Sequence, residues 1–413
     1  MQENNQIWMS WSELNERIKG REVILYGRSE DWLPKTLNLL HKAPQLIVDR
    51  NKKYRGTSYK GVNIASPDHF FSMPSSSKPF IVITSSVYDE IVDLLLEKNF
   101  CAGVDFCCCP EFRDFAALAK LRSVDKSVIV SSSDYLDKTR ARSSAAGGGI
   151  FLYDLATSQY EKKVSGVYRQ LTKIRDGYLA VEYVTGEIHI IDKAFKILDR
   201  IPLDKPNYCG ISSCEDTGFV TVVNAATDSV KLLSLTNFSL VDEIYFSKSK
   251  NDTSSAHHLN DCCIHDGKLY ITMFSLTGSW KLGIFDGALV QYDLNSIASG
   301  YTVLVSNAWM PHSPEVIDNE ICYLDSMNGN FITSNQYVTA HFDYFARGLD
   351  GDGQLYCIGA SENMYASRVR DSRGRRNIMV NAGFSIYDRV ANISRFYPLM
   401  HNMNVHDLLF NTG

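Results

Sequence analysis

The chain has 413 residues, of which 22% are charged and 45% are hydrophobic, and its formal net charge is −5. A chain of this length exceeds what a single hydrophobic core usually organises, so two domains are expected. A weakly acidic chain of this composition carries no polyanion-binding signature, and we expect no nucleic-acid partner.

The N-terminal residues are polar and acidic, and they contain no apolar run of signal-peptide length. No later stretch approaches the roughly 18 apolar residues of a membrane span. Ten cysteines occur without CxxC spacing, and Cys107, Cys108 and Cys109 are consecutive, which does not suit a disulfide framework. We therefore expect a cytoplasmic protein with free thiols and no membrane span.

The first segment, residues 1–122, has the pattern of a small α/β Rossmann-like domain. Residues 22–26 (EVILY) predict a strand that stops at Gly27, and a helical pattern follows. A second apolar run ends in Asp49, about twenty residues after that glycine, where a dinucleotide-binding unit places a carboxylate for the ribose. The candidate cofactor-binding residues are therefore Gly27, Arg28, Ser29 and Asp49.

The predicted phosphate loop departs from the G-x-G-x-x-G motif. Ser29 replaces the second glycine, which normally lets the backbone approach a pyrophosphate, and Glu30 and Asp31 add negative charge. We therefore do not expect NAD to bind. Arg28 offsets part of this charge, and a structural domain without a ligand is the alternative interpretation.

Four stretches of this segment, YGRSEDW, LIVDRNKKYRG, YKGVNIASPDHF and IVITSS, resemble a group of small Rossmann domains. These domains are associated with nucleotide sugars in bacterial surface-glycan proteins, for example in the N-terminal part of sialic-acid O-acetyltransferase-like enzymes. The resemblance implies a role in polysaccharide biosynthesis.

The second segment, residues 123–413, loses helical periodicity and becomes short alternating runs separated by Asp-Gly, Asn-Gly and Thr-Gly turns. The pattern recurs about every 40 to 50 residues, which predicts an all-β propeller of six blades. The final NVHDLLF is expected to pair with the first blade and close the ring. A basic stretch, residues 368–376, is expected to be a loop within one blade.

Ionisable and polar residues recur just before the turn of each predicted blade, where a propeller places its innermost strand beside the axis. We expect three of them to act in acid–base catalysis or as ligands of a divalent metal: His258, His312 and His406. A second set is expected to bind substrate: Arg169, Asn260, Asp261, Ser313 and Arg347. The arginines would hold a carboxylate or phosphate. The alternatives are that the histidines hydrogen-bond neighbouring strands and that each arginine pairs with an aspartate such as Asp407.

The motifs HLND, MPHSP and RGL, at residues 258–261, 310–314 and 347–349, resemble those of an uncharacterised bacterial family of six-bladed propellers. More distantly, the same blades are similar to the gluconolactonase and strictosidine synthase superfamily. That resemblance implies a calcium-like ion held by Glu, Asn and Asp at the channel. Asn260 matches one such ligand, whereas His312 and Arg347 stand where other ligands are expected, so a hard-cation site is in doubt.

Together these patterns predict a carbohydrate-active protein of bacterial surface-glycan synthesis, in which the propeller channel binds an acidic sugar or a nucleotide sugar. The sequence does not decide whether it is an enzyme. The alternative is a non-catalytic ligand-binding or scaffold protein that assembles with itself or with enzymes of the glycan pathway.

Overall fold

The computed structural model describes residues 7–74, 78–133, 148–246, 255–333, 337–362, 382–400, 402 and 404–411. The chain forms two compact units, Met1–Lys120 and Leu121–Gly413. The basic stretch at residues 368–376 lies outside the described residues. Within the part of the chain that is described, no helix is both long and apolar enough to cross a membrane.

The first unit is built around one six-stranded sheet. Its helices are α1 (Trp11–Arg17), α2 (Trp32–Leu39), α3 (Pro67–Ser72), α4 (Tyr88–Glu97) and α5 (Phe112–Arg122). Its strands are β1 (Val23–Tyr26), β2 (Leu46–Val48), β3 (Ser58–Tyr59), β4 (Val62–Ala65), β5 (Phe80–Ile83) and β6 (Phe106–Cys108). The central strands β1 and β5 are buried at every position, as expected for parallel strands that are covered on both faces.

The expectation of a small α/β Rossmann-like domain is wrong, because this sheet is mixed. The strand order is β3-β4-β2-β1-β5-β6, and β3 pairs antiparallel with β4 while the remaining pairs are parallel. Residues 49–61 between β2 and β4 form a turn and the hairpin strand β3 instead of an α-helix. Helices account for only 15% of the residues of the chain. The six-bladed propeller, which covers most of the chain, is confirmed.

The second unit contains six antiparallel four-stranded sheets, which are the blades. Each blade is numbered by the position of its innermost strand in the chain, and its strands are given from the axis outward. Blade 1 holds β10 (Tyr168–Ile174), β11 (Gly177–Glu182), β12 (Glu187–Asp192) and β13 (Ile197–Pro202). Blade 2 holds β14 (Tyr208–Cys214), β15 (Phe219–Asn224), β16 (Ser229–Ser234) and β17 (Leu240–Tyr245). Blade 3 holds β18 (Leu259–His265), β19 (Lys268–Met273), β20 (Gly287–Asp293) and β21 (Tyr301–Ala308).

The remaining blades follow the same plan. Blade 4 holds β22 (Pro311–Ile317), β23 (Glu320–Asp325), β24 (Asn330–Thr333) and β25 (Val338–His341). Blade 5 holds β26 (Phe345–Gly351), β27 (Leu355–Ser361), β28 (Gly383–Asp388) and β29 (Ile393–Pro398). Blade 6 holds β30 (Asp407–Asn411), β7 (Ser127–Ser132), β8 (Gly149–Asp154) and β9 (Gln159–Ser165).

The ring closes by pairing the last strand with the first strand of the propeller. β30 runs antiparallel to β7, from the pair Asp407 and Ser131 to the pair Asn411 and Ser127. The expectation that the final residues pair with the first strands of the propeller and close the ring, here as blade 6, is therefore confirmed. Innermost strands of neighbouring blades contact each other around the whole ring, which places the starts of β10, β14, β18, β22, β26 and β30 about one axis.

Candidate functional site at the propeller axis

The innermost strands share one irregularity close to their first residues. The pairing with the second strand shifts register in five blades, between Tyr168 and Leu171, Tyr208 and Gly210, Leu259 and Cys262, His312 and Glu315, and Ala346 and Leu349. Such bulges take residues out of the ladder and redirect their side chains. All five predicted substrate-binding residues lie inside these shifts: Arg169, Asn260, Asp261, Ser313 and Arg347.

Asp261 and Ser313 hold three of these bulges together. The carboxylate of Asp261 accepts a hydrogen bond from the backbone N–H of Ser313 at 2.9 Å, and the Ser313 hydroxyl accepts one from the N–H of Gly348 at 2.8 Å. The bulges of blades 3, 4 and 5 are therefore joined side by side. Both side chains are buried and act within the protein frame, so their contribution to the site is to fix the neighbouring residues.

Gln170 and Asp407 extend the same hydrogen-bonded belt to the other blades. The Gln170 side chain accepts from the N–H of Ile211 at 3.0 Å and from the N–H of Cys262 at 3.1 Å, and it donates to the Cys262 carbonyl at 2.8 Å. Asp407 accepts from the N–H of Leu171 at 2.8 Å. Sequence reasoning missed Gln170, although it directly follows Arg169 and aligns with Asp261 and Asp407 in the repeat.

His312 is almost fully buried, with 1% of its surface exposed. Its ring lies edge-to-face with Phe274 and Phe345, at centroid distances of 5.4 and 5.5 Å. Nδ1 lies 2.9 Å from the carbonyl oxygen of Met310 and 2.8 Å from the hydroxyl of Ser326. Burial, and next the charge of Arg347, hold the pKa of His312 well below its usual value, so the imidazole is neutral at physiological pH.

His258 lies at the start of blade 3 and is half-buried. Its ring packs against Phe274 and Trp280 at centroid distances of 4.4 and 4.5 Å. Burial, followed by the charges of Arg347 and Arg169, lowers the pKa of His258 to about 3. Its backbone φ is 54°, a left-handed conformation that costs energy for a residue with a side chain. Such strain is concentrated at functional sites.

His406 contacts Arg169 on the adjacent blade. The guanidinium Nη1 lies 2.8 Å from Nε2 of His406, and the hydroxyl of Ser133 lies 2.5 Å from the same nitrogen. A guanidinium has no acceptor, so it is the histidine nitrogen that accepts. Arg169 also lies over the ring of Tyr183, with its guanidinium carbon 4.4 Å from the centroid. His406 therefore positions Arg169 beside the axis.

Arg347 differs from the arginines that are paired elsewhere in the propeller. It is 7% exposed, and among the described residues its guanidinium has neither a hydrogen-bond partner nor a carboxylate within ion-pair distance. The side-chain nitrogen of Asn260, which is 3% exposed, also lacks a partner within that part of the chain. Buried polar groups are normally satisfied, and unsatisfied ones require an explanation. Both groups are donors, so the arrangement is suited to an acceptor that comes from outside the protein.

The charges around these donors do not suit a hard cation. The guanidinium groups of Arg347 and Arg169 both lower the pKa values of His258 and His312, so the electrostatic potential near the axis is positive. The carboxylates of the belt, Asp261 and Asp407, already accept hydrogen bonds from the backbone N–H groups of Ser313 and Leu171. The Glu, Asn and Asp set implied by the distant resemblance is thus represented only by Asn260, and the residues do not fit a calcium-like ion.

The three predicted histidine ligands are not assembled as a metal site either. Throughout the described ranges, no group of three or more His, Cys, Asp or Glu side chains is placed to hold one metal ion. Nδ1 of His312 and Nε2 of His406 are instead engaged within the protein. Cys209, which also lies in a bulge, has its pKa raised to about 12, chiefly by burial, and is a neutral thiol rather than a nucleophile.

The four predicted cofactor residues of the first unit have structural contacts instead. Asp49 accepts from the N–H of Arg28 at 2.6 Å and from the N–H of Asn51 at 2.7 Å. The guanidinium of Arg28 lies 4.2 Å above the ring of Tyr54. These contacts brace the turn after β1 and leave the Asp49 carboxylate little capacity for a ribose.

Ser29 and Gly27 are engaged in a similar way. The Ser29 hydroxyl accepts from the N–H groups of Trp32 and Leu33 at 2.8 and 3.3 Å, which are the amides a phosphate would use at the start of α2. A Cβ on Gly27 would lie 2.5 Å from the Cβ of Ser85, and its φ is 111°. Glycine is therefore needed here for close packing against the strand end of β5.

A cavity of about 1290 Å³ lies at a different place in the first unit. It is lined by Glu22, Gln45 and Lys78 near the amino ends of the parallel strands, and by Phe70 and Phe100. None of the predicted cofactor residues lines it. The predicted cofactor residues therefore lie at the opposite end of the sheet from this cavity.

Comparisons with known proteins identify the fold alone. No family model matches the sequence, and no curated protein matches it either. A chain from the nidogen/laminin complex is similar over 70% of this chain and 98% of its own, at 7% identity and a TM-score of 0.48. A protein of unknown function from Bacteroides caccae covers 70% of this chain and 100% of its own, at 9% identity and a TM-score of 0.46.

The six-bladed propeller also has structural neighbours in the gluconolactonase and regucalcin-like group. Regucalcin from Agrobacterium tumefaciens, described as a calcium-binding protein, covers 57% of this chain and 75% of its own, at 12% identity and a TM-score of 0.40. Similarity at this level carries no argument about ligand or activity. The assignment of the HLND, MPHSP and RGL motifs to a bacterial propeller family therefore stays a prediction.

Proposed function

We propose that the propeller binds an acidic sugar or a sugar nucleotide at its axis and holds the carboxylate or phosphate with Arg347, assisted by Arg169. The observation that carries the proposal is the buried guanidinium of Arg347, which has no hydrogen-bond partner and no carboxylate within ion-pair distance among the described residues. Burying a charge without a partner costs several kcal/mol unless a ligand supplies the opposite charge. The planar guanidinium matches carboxylate and phosphate oxygens in pairs.

The protonation states of the histidines favour ligand binding and proton abstraction over proton donation. Both His258 and His312 are neutral at physiological pH because burial and the neighbouring guanidinium groups disfavour their charged forms. A neutral imidazole accepts a proton or a hydrogen bond, but it does not serve as a general acid at that pH. The site thus supports a binding protein, or an enzyme whose first step removes a proton from the bound sugar.

The pathway part of the proposal, surface-glycan synthesis in bacteria, rests on the resemblance of four stretches in the first segment. The alternative, a scaffold for enzymes of that pathway, requires no ligand at the axis. Ligand binding is therefore the first property to test.

The test is a thermal-shift and calorimetry screen of the purified chain with D-glucuronate, D-galacturonate, glucose 6-phosphate and UDP-glucose. A ligand selective for the folded state raises the apparent stability by mass action. We expect at least one of these anions to stabilise the wild type and to lose this effect in Arg347→Gln. The matched control is Arg389→Gln, since Arg389 is paired with Glu320 at 2.7 Å. The proposal fails if no anion binds, or if Arg347→Gln binds as the wild type does.

A further inference from the structure

The tautomer of His312 is fixed by its surroundings. The carbonyl of Met310 can only accept, so Nδ1, which lies 2.9 Å from it, carries the proton. In the neutral ring Nε2 then holds a lone pair. Within the described part of the chain no donor is hydrogen-bonded to that nitrogen. Ser326, whose hydroxyl lies 2.8 Å from Nδ1, secures the same ring orientation.

The strand that carries this acceptor lies between the strands that carry Asn260 and Arg347, whose donors lack partners among the described residues. Ser313 follows His312 in the chain and is hydrogen-bonded to Asp261 on one side and to Gly348 on the other. Asn260 precedes Asp261 and Arg347 precedes Gly348, so the three functional groups start from adjacent strands at the same level of the channel. Arg347 is the charged group that acts most strongly on His312. The site consequently offers two donors and one acceptor to a single ligand.

A sugar hydroxyl is a donor, so it can satisfy the lone pair on Nε2 of His312. The oxygens of a carboxylate or of an ionised phosphate only accept hydrogen bonds, so they suit the unpartnered donors of Arg347 and Asn260.

We infer that the ligand is a sugar ring carrying an anionic group and free hydroxyl groups, with the anion on Arg347 and Asn260 and a hydroxyl donating to Nε2 of His312. This inference rests on the proposed function and deepens it by assigning the recognition of a sugar hydroxyl to His312. His312 is then the residue that determines specificity, and Ser326 is a positioning residue that acts through it.

The inference is tested by calorimetry with D-glucuronate and D-galacturonate against cyclohexanecarboxylate, which has the same ring size and carboxylate but no hydroxyl. One well-formed hydrogen bond corresponds to roughly tenfold in affinity. We expect the wild type to bind a uronate at least roughly tenfold more tightly than cyclohexanecarboxylate. In His312→Phe this preference should disappear while the carboxylates still bind. The control His341→Phe, at an exposed histidine on β25, should retain the wild-type preference.

A second measurement covers the case in which His312→Phe does not fold. Nitrogen NMR of the wild type at neutral pH should report His312 protonated on Nδ1 only, with the Nε2 resonance shifting on addition of the bound uronate and not of cyclohexanecarboxylate. In Ser326→Ala the uronate preference should weaken while cyclohexanecarboxylate binds as before.

The outcomes separate this inference from the proposed function. Equal affinity for a uronate and cyclohexanecarboxylate, or a preference for the uronate that His312→Phe retains, overturns the inference and leaves anion binding in place. Absence of binding by every probe overturns both.

Discussion

Replacing Arg347 by methionine separates a binding role from a structural one, because the two roles predict opposite changes in stability. Methionine has a similar length and no charge, so Arg347→Met removes the desolvation cost of a guanidinium that is 7% exposed and unpartnered among the described residues. Replacing buried charges by apolar side chains is commonly neutral or stabilising by 1–4 kcal/mol. Since the field of Asp261 offsets part of the cost, we expect a gain of about 1–2 kcal/mol in the free energy of unfolding.

Binding should change in the opposite direction. A paired guanidinium–carboxylate contact provides two charge-assisted hydrogen bonds of about 1.5–3 kcal/mol each, so its loss should weaken anion binding by about 10²- to 10⁴-fold. Urea unfolding followed by tryptophan fluorescence measures the stability, and calorimetry with the anion that binds the wild type measures the affinity. Arg389→Met is the control and should lose about 0.5–1 kcal/mol, because Arg389 is ion-paired on the surface.

A loss of 2 kcal/mol or more in Arg347→Met would refute this reasoning. Such a loss would mean that the guanidinium stabilises the ring itself. The same conclusion would follow if anion binding survived in a folded variant.

Three further predictions follow from individual residues. Burial, reinforced by the negative charge of Asp407, raises the pKa of Glu315 well above its usual value. The folded state therefore binds a proton that the unfolded state has released. As the pH rises from the unfolded pKa to the folded pKa, the free energy of unfolding of the wild type falls by up to about 1.4 kcal/mol per pH unit. Glu315→Gln should consequently be more stable than the wild type at pH 7 and equal to it below pH 4, and an equal difference at both pH values in urea unfolding would contradict this. Ser29→Ala should lower stability by about 1 kcal/mol because the first two amides of α2 lose their hydrogen bonds to the Ser29 hydroxyl, without altering any nucleotide binding seen by calorimetry. Gly359→Ala places a Cβ 2.0 Å from the carbonyl oxygen of Arg347, so it should cost about 1–3 kcal/mol and weaken anion binding by displacing that strand, whereas wild-type stability and affinity would argue against the close approach.

The propeller was predictable because its signal is repeated. Six repeats of turn and alternating strand each specify the same local structure, and the final strand NVHDLLF closes the ring as the pattern indicates. The same repeat also located Arg169, Asn260, Asp261, Ser313 and Arg347 correctly at the starts of the innermost strands.

The first unit was misread because a short motif has several structural uses. The spacing of Gly27 and Asp49 matches that of a dinucleotide-binding turn, yet Asp49 bonds the backbone of Arg28 and Gly27 is required for packing against Ser85. No sequence pattern predicts the hairpin after β2 either, because β3 has only two residues and no alternating run. Both outcomes depend on contacts between segments that are distant in the chain.

The amino-acid sequence by itself determined the repeated strand pattern, and with it the ring that brings distant residues to one axis. Only the tertiary structure decided which of these residues are engaged by the protein and which have unsatisfied hydrogen-bonding groups. Asp261 and Ser313 join the blades, whereas Arg347 and Asn260 retain unpartnered donors among the described residues. The physical reason is that a residue's type sets which hydrogen bonds and charges it offers, but its partners lie 35 to 236 positions away in the chain.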